Sequence, residues 1–138
     1  MKNLNKKRGN RFETEFAEIL GRNGFWAHVF QQNKDGQPAD IIAVKDCIAI
    51  LIDCKLCESN DTFRFERIEP NQRMAMTYFI SKTNGSCFFA LKRPDGEIRM
   101  LDYRKAAALE RAGKTGVTAK DIGLYTVELD HWLDGKWL

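Results

Sequence analysis

Two unbroken apolar runs, Ile41-Ile42-Ala43-Val44 and Ile48-Ala49-Ile50-Leu51-Ile52, are separated only by Lys45-Asp46-Cys47. Runs this short and rich in branched residues suit strands, and a three-residue gap lets them pair only as a tight hairpin. The second run is apolar at every position, so it is expected to be buried on both faces, and a sheet covered on both sides needs helices for its layers. The hairpin has a further consequence. It sets the residue before the first run, Asp40, beside the residue after the second, Asp53.

Helices are legible on both sides of this hairpin. Phe12, Phe16, Ile19 and Leu20 fall at helical spacing between about Asn10 and Asn23, with Gly24 as a stop. Phe25 to Phe30 is short and aromatic, as a strand is, and 31–37 is a polar loop. Phe63, Phe65 and Ile68 alternate with charged residues ahead of Pro70, which suits the first turn of a second helix reaching Asn84-Gly85. Cys87–Leu91 and Ile98–Leu101 flank the turn residues Pro94-Asp95-Gly96. A short helix near Arg104–Arg111, a flexible 113–116 segment and a strand at Leu124–Val127 complete the expectation. The class is α/β: a mixed sheet flanked by helices, in one domain spanning 1–138 with a basic arm at 1–9 and a C-terminal segment at 104–138.

With 138 residues and a formal net charge of +3, a nucleic-acid reading must rest on where the charge lies. Lys2, Lys6, Lys7, Arg8 and Arg11 all precede the first acid, Glu13. Such an arm can track phosphates, or can be a solvated tail. Lys34 in the polar loop is a further candidate DNA contact. No apolar run approaches the roughly 20 residues of a membrane span and no secretory leader is evident, so the expectation is a cytoplasmic protein without a membrane partner. Its four cysteines then read as thiols, and Cys54-x-x-Cys57 lacks a second pair to complete a zinc site.

The chemistry gathers at Asp53-Cys54-Lys55. Alternation along a strand points Asp53 and Lys55 the same way and Cys54 to the opposite side, leaving Cys54 only its backbone carbonyl to offer. Neighbouring carboxylates raise each other's pKa unless a cation lies between them, and Mg²⁺ or Mn²⁺ accepts carboxylates together with retained waters. An ammonium beside such an ion can orient water and stabilise a phosphate undergoing attack. Read singly, these charges are ordinary strand ends; their joint placement carries the weight. Glu13, at the edge of the helical stripe, either overhangs this group or forms a capping box with Asn10. Gln72, in the first turn of the second helix, either reaches the site or DNA, or faces water.

Gly9 with Glu13, Gly24-Phe25, Pro38-Ala39-Asp40-Ile41-Ile42-Ala43-Val44-Lys45 and Ile50-Leu51-Ile52-Asp53-Cys54-Lys55 together resemble the PD-(D/E)xK nuclease superfamily, and within it the compact Holliday junction resolvases. Ile68-Glu69-Pro70-Asn71-Gln72-Arg73 and Gly85-Ser86-Cys87-Phe88-Phe89 are similar to the RecU-type bacterial resolvases. The resemblance covers about Gly9 to Tyr103. It implies a restriction-endonuclease-like fold, Glu13, Asp40 and Asp53 as metal-site acids, Lys55 as the catalytic lysine, a homodimer, and products with a 5′-phosphate and a 3′-hydroxyl. The expected function is a metal-dependent, structure-selective DNA endonuclease acting on four-way junctions, of bacterial or phage origin. Rival readings are a restriction-like, repair or fork nuclease on the same core, and a non-catalytic DNA-binding module. The 31–37 loop is much shorter than the stalk that RecU-type enzymes insert into a junction.

Overall fold

A computed structural model describes residues 2–31 and 36–138, with the backbone alone described for 2–10. Helix α1 (Lys2–Arg22) begins eight residues before the expected start at Asn10. The segment before Asn10 contains good helix formers and no proline, and one Gly9 is too small a penalty to break it. The basic stretch is therefore a continuation of the helix, while the side chains of Lys6, Lys7 and Arg8, like all of Lys34, lie outside the described residues. The helix closes where Phe25 N donates to Leu20 O and Gly24 adopts φ +88°, a left-handed conformation that glycine takes without strain.

Strands β1 (Trp26–Val29), β2 (Ile41–Lys45) and β3 (Ile48–Leu56) form an antiparallel meander. The β2–β3 turn is a two-residue one in which both Asp46 and Cys47 have positive φ, 52° and 66°. That mirror-image geometry matches the twist of the strands it joins. After β3 come β4 (Phe63–Arg64), a 3₁₀ turn at Phe65–Arg67, and helix α2 (Pro70–Lys82), which crosses over to β5 (Cys87–Lys92), parallel to β3. Strand β6 (Ile98–Asp102) returns antiparallel, and α3 (Tyr103–Arg111) starts where the Asp102 side chain accepts from Arg104 N at 2.7 Å. Strand β7 (Gly116–Val117) pairs with β4 in a small second sheet, and α4 (Ile122–Tyr125) precedes β8 (Val127–Glu128). The main sheet runs β1-β2-β3-β5-β6-β8.

The last expected strand needs correcting. Leu124 is in the helical turn α4, and strand pairing starts only at Val127. Asp121 accepts from Thr118 N at 2.6 Å, which bends the chain into that turn, buries Ile122 and leaves Leu124 exposed. Beyond β8 a final turn, α5 (Leu129–His131), runs into a π-helical segment at Trp132–Lys136.

The sheet separates two cores. On one side Phe12, Phe16 and Leu20 of α1 pack with Ile41, Ile50, Ile52, Phe88 and the C-terminal Trp132 and Trp137. Trp132 stacks on Phe25 and meets Phe88 edge-on, so the C-terminal segment is part of this core. On the other side Met76 of α2 and Ala106 and Leu109 of α3 pack with Leu51, Phe89, Leu101, Phe63 and Phe65. The crossover into β5 requires a glycine: a Cβ at Gly85 would fall 1.6 Å from Ala49 O.

Candidate active site

Ile41 pairs with Ile52, so Asp40 lies across the hairpin from Asp53, as the two-run spacing predicts. Asp40 N donates to Ile52 O at 3.1 Å, and its carboxylate Oδ2 accepts from Cys54 N at 2.7 Å. Asp40 is thereby clamped to the neighbouring strand by main chain and side chain together. Asp53, only 1% exposed, sits between three partners. Its Oδ1 accepts from Gln72 Nε2 at 2.9 Å, its Oδ2 lies 3.0 Å from Lys55 Nζ, and it shares a hydrogen bond with Asp40. The ammonium of Lys55 also donates to Arg67 O at 3.2 Å.

Glu13 projects from α1 onto the same group and hydrogen-bonds Asp40. Because α1 is unbroken from Lys2, Glu13 is in mid-helix and not the third residue of a helix capped by Asn10. Three acids thus line one cleft with Lys55, a cavity of about 1320 Å³. Their proton affinities reflect this crowding. Burial raises the Glu13 carboxyl. Burial and then the Glu13 charge push Asp40 up to about 6, and burial and then the Asp40 charge push Asp53 up to about 8.

Among the described residues no three His, Cys, Asp or Glu side chains stand in ready-made metal geometry. The carboxylates are turned to one another and to Cys54 N, Gln72 and Lys55. The donor set nevertheless suits a hard divalent cation. All three donors are carboxylate oxygens, and Asp53 Oδ2 is buried without an aligned hydrogen bond although Lys55 is within ion-pair distance. A small ion that keeps part of its water shell needs only one or two of these oxygens directly. The C-x-x-C is no competing site: Cys54 packs toward the α1 core and Cys57 toward the opposite one.

Gln72 is reached by the site and not by solvent. It is 7% exposed, and while Nε2 holds Asp53, Oε1 accepts from Glu69 N at 3.2 Å. Both ends of the amide have protein partners, so the side chain is held against Asp53. Glu69 and Gln72 form a reciprocal capping box at the start of α2, a spacing present in Glu69-Pro70-Asn71-Gln72 that marks the fixed orientation of this side chain. The sequence reading did not identify the Arg67 carbonyl as a seat for Lys55, which depends on the 3₁₀ turn. It also missed Arg93, whose guanidinium grips Asp61 and Glu97 beside the cleft. Arg11 is exposed.

Among the described residues no helix is long and apolar enough to cross a membrane. No curated protein matches the chain. Among solved structures, the Holliday junction resolvase Hjc of the archaeal hyperthermophile Archaeoglobus fulgidus superposes with a TM-score of 0.70 at 20% identity, over 91% of this chain and 99% of that one. At that identity the match establishes the fold. The family described as archaeal Holliday junction resolvase (Hjc) matches residues 4–136. That description gives no support to the bacterial or phage origin expected from the RecU-like stretch. The hairpin that pairs Asp40 with Asp53, the α1 glutamate above them and a family match over nearly the whole length lead to one assignment: this chain belongs to the archaeal Holliday junction resolvase family, structure-selective endonucleases that cut DNA junctions.

Proposed function

We propose that Glu13, Asp40 and Asp53, with the Cys54 carbonyl, hold a divalent cation, Mg²⁺ or Mn²⁺, in the cleft, and that Lys55 is the catalytic lysine for cutting a four-way junction. The observation that carries this reading is the convergence of three carboxylates and one ammonium, from α1, the start of β2 and the length of β3, on a single open cleft. A cation bound there supplies Lewis-acid polarisation of the phosphate and a more acidic water. The remaining work falls to the chain. Arg67 O and Asp53 Oδ2 fix the Lys55 ammonium, so its charge can meet the negative charge that develops on phosphate oxygens at little reorganisation cost. The Gln72 amide and the Cys54 N–H hold Asp53 and Asp40 in place, which keeps the acids from folding back onto other donors. Attack by water with departure of the 3′ oxygen leaves a 5′-phosphate and a 3′-hydroxyl.

A homodimer fits this substrate, because an isologous pair presents two equivalent clefts to a twofold branched DNA. The surface that favours it lies on the α2 side of the sheet. Met74 and Tyr78, one helical turn apart on α2, are 74% and 67% exposed, and Trp26 on the edge strand β1 is 61% exposed. Large apolar side chains exposed on one side of a fold favour a partner surface.

The test is digestion of a panel comprising a four-way junction, a flap, linear duplex and single-stranded DNA, with Mg²⁺, Mn²⁺ or chelator. Symmetric, metal-dependent nicking of the junction alone is expected, with Lys55→Ala losing cleavage and keeping junction binding. Equal cutting of linear duplex would assign the same core to a restriction-like or repair role. Full activity of Lys55→Ala would remove that residue from the mechanism.

A further inference from the structure

Five cationic side chains line the cleft: Lys55, Arg64, Arg67, Lys92 and Arg93. Four of them are already matched to carboxylates. Lys55 is 3.0 Å from Asp53, Arg64 is 2.8 Å from Glu58, Lys92 is 3.1 Å from Glu15, and Arg93 pairs with both Asp61 and Glu97. Arg67 has no carboxylate partner among the described residues. Its position is nonetheless fixed. Nη1 donates to Leu56 O at 2.7 Å, the guanidinium lies 5.7 Å from the ring centroid of the buried Phe63, and the residue's own carbonyl seats Lys55. Among the described residues Nε and Nη2 donate to nothing.

A half-buried guanidinium, anchored by one carbonyl within cation–π range of an aromatic ring and with donors left over, is built to receive an oxyanion; its planar fork matches two oxygens of a phosphate. Because the backbone of Arg67 holds the ammonium of Lys55, any phosphate gripped by its side chain is placed in register with the one that Lys55 serves. We propose that Arg67 is a further catalytic residue, which binds a non-bridging phosphate oxygen of the strand being cut, immediately beside the scissile phosphate. The inference rests on the nuclease reading above and adds a specific contact to it. Arg64, Lys92 and Arg93 would have to give up an ion pair to do the same, so Arg67 accepts the phosphate at the smallest cost.

Arg67 also holds Leu56 O and covers Phe63, so loss of activity on mutation could be structural. A double-perturbation series separates the two roles. Four-way junctions carrying a single neutral methylphosphonate at each of the phosphates flanking the cut are digested, at saturating protein and in one turnover, by the wild type and by Arg67→Gln. Arg67→Gln is expected to slow cleavage of the unmodified junction on the order of 10- to 100-fold, because a strand no longer gripped beside the cut is misplaced for attack. At one methylphosphonate position the wild type should lose a similar factor and Arg67→Gln should lose almost nothing more. Losses that multiply at every position, or wild-type rates for Arg67→Gln, overturn the assignment. Circular dichroism and Mn²⁺ titration check that the variant folds and retains its acidic group; should it not fold, Arg67→Lys, which keeps the charge and loses the fork, enters the same series. Failure of the wild type to cut the unmodified junction removes the nuclease reading itself. Cutting with multiplicative losses removes Arg67 alone.

Discussion

Replacing Asp53 with asparagine should make the metal-free protein more stable while abolishing cleavage. Asp53 is essentially buried, and its carboxyl is pushed up to about 8 from an ordinary 3.8. A raised carboxyl pKa favours the folded state at low pH, where the group is protonated in both states, and withdraws that support as pH rises toward the folded value. The window here runs from about pH 4 to about pH 8. At pH 7 the gap from the unfolded value is roughly 3 pH units, or about 4 kcal/mol at ~1.4 kcal/mol per unit. The asparagine side chain cannot ionise, can still accept from Gln72, and can donate to Asp40. An amide does not reproduce every contact of the protonated carboxyl, which reduces the expected gain to about 2 kcal/mol. Urea denaturation in chelator at pH 5 and pH 7 measures it: the wild type should lose stability between the two, and Asp53→Asn should lose much less. Added Mg²⁺ should stabilise the wild type at pH 7 and leave the variant nearly unmoved. A variant no more stable than wild type at pH 7, with the same pH slope, would refute the claim that burial and the neighbouring acid hold the Asp53 carboxyl back from ionising until a cation binds.

Other perturbations probe the frame around the site. Gly85→Ala puts a methyl group 1.6 Å from Ala49 O between the paired strands and should cost roughly 3 kcal/mol or more by thermal or urea unfolding, since backbone must move. Gln72→Leu removes half of the α2 capping box and the Asp53 hydrogen bond together; about 1–2 kcal/mol of stability should be lost, with cleavage falling more than junction affinity in a binding titration. Met74→Glu combined with Tyr78→Glu should shift sedimentation from dimer to monomer without unfolding the chain, because both side chains are exposed in the single protomer.

Much of the metal-site candidate is local in origin and was therefore visible early. A tight hairpin between two apolar runs admits one register that keeps both runs buried, and that register alone sets Asp40 against Asp53; the period of two along β3 then places Lys55 with Asp53 and Cys54 opposite. The apolar stripe Phe12, Phe16 and Leu20 likewise dictates which face of α1 is buried, and with it the edge from which Glu13 leans over the site. What depended on distant packing was not legible. Whether Gln72 meets water, DNA or Asp53 depends on where α2 crosses the sheet. The seat that Arg67 O offers Lys55 exists only because Phe63 and Phe65 enter the core beside Phe89 and wind the chain into a 3₁₀ turn. The strand expected at Leu124 gave way to a helical turn when Thr118 and Asp121 closed it. Trp132 and Trp137 became core because Phe16, Phe25 and Phe88 left a space on the α1 side that a distant segment had to fill. Short-range periodicity and turn geometry specify the strands and their charged ends, whereas contacts between residues far apart in sequence decide which polar group ends up beside which.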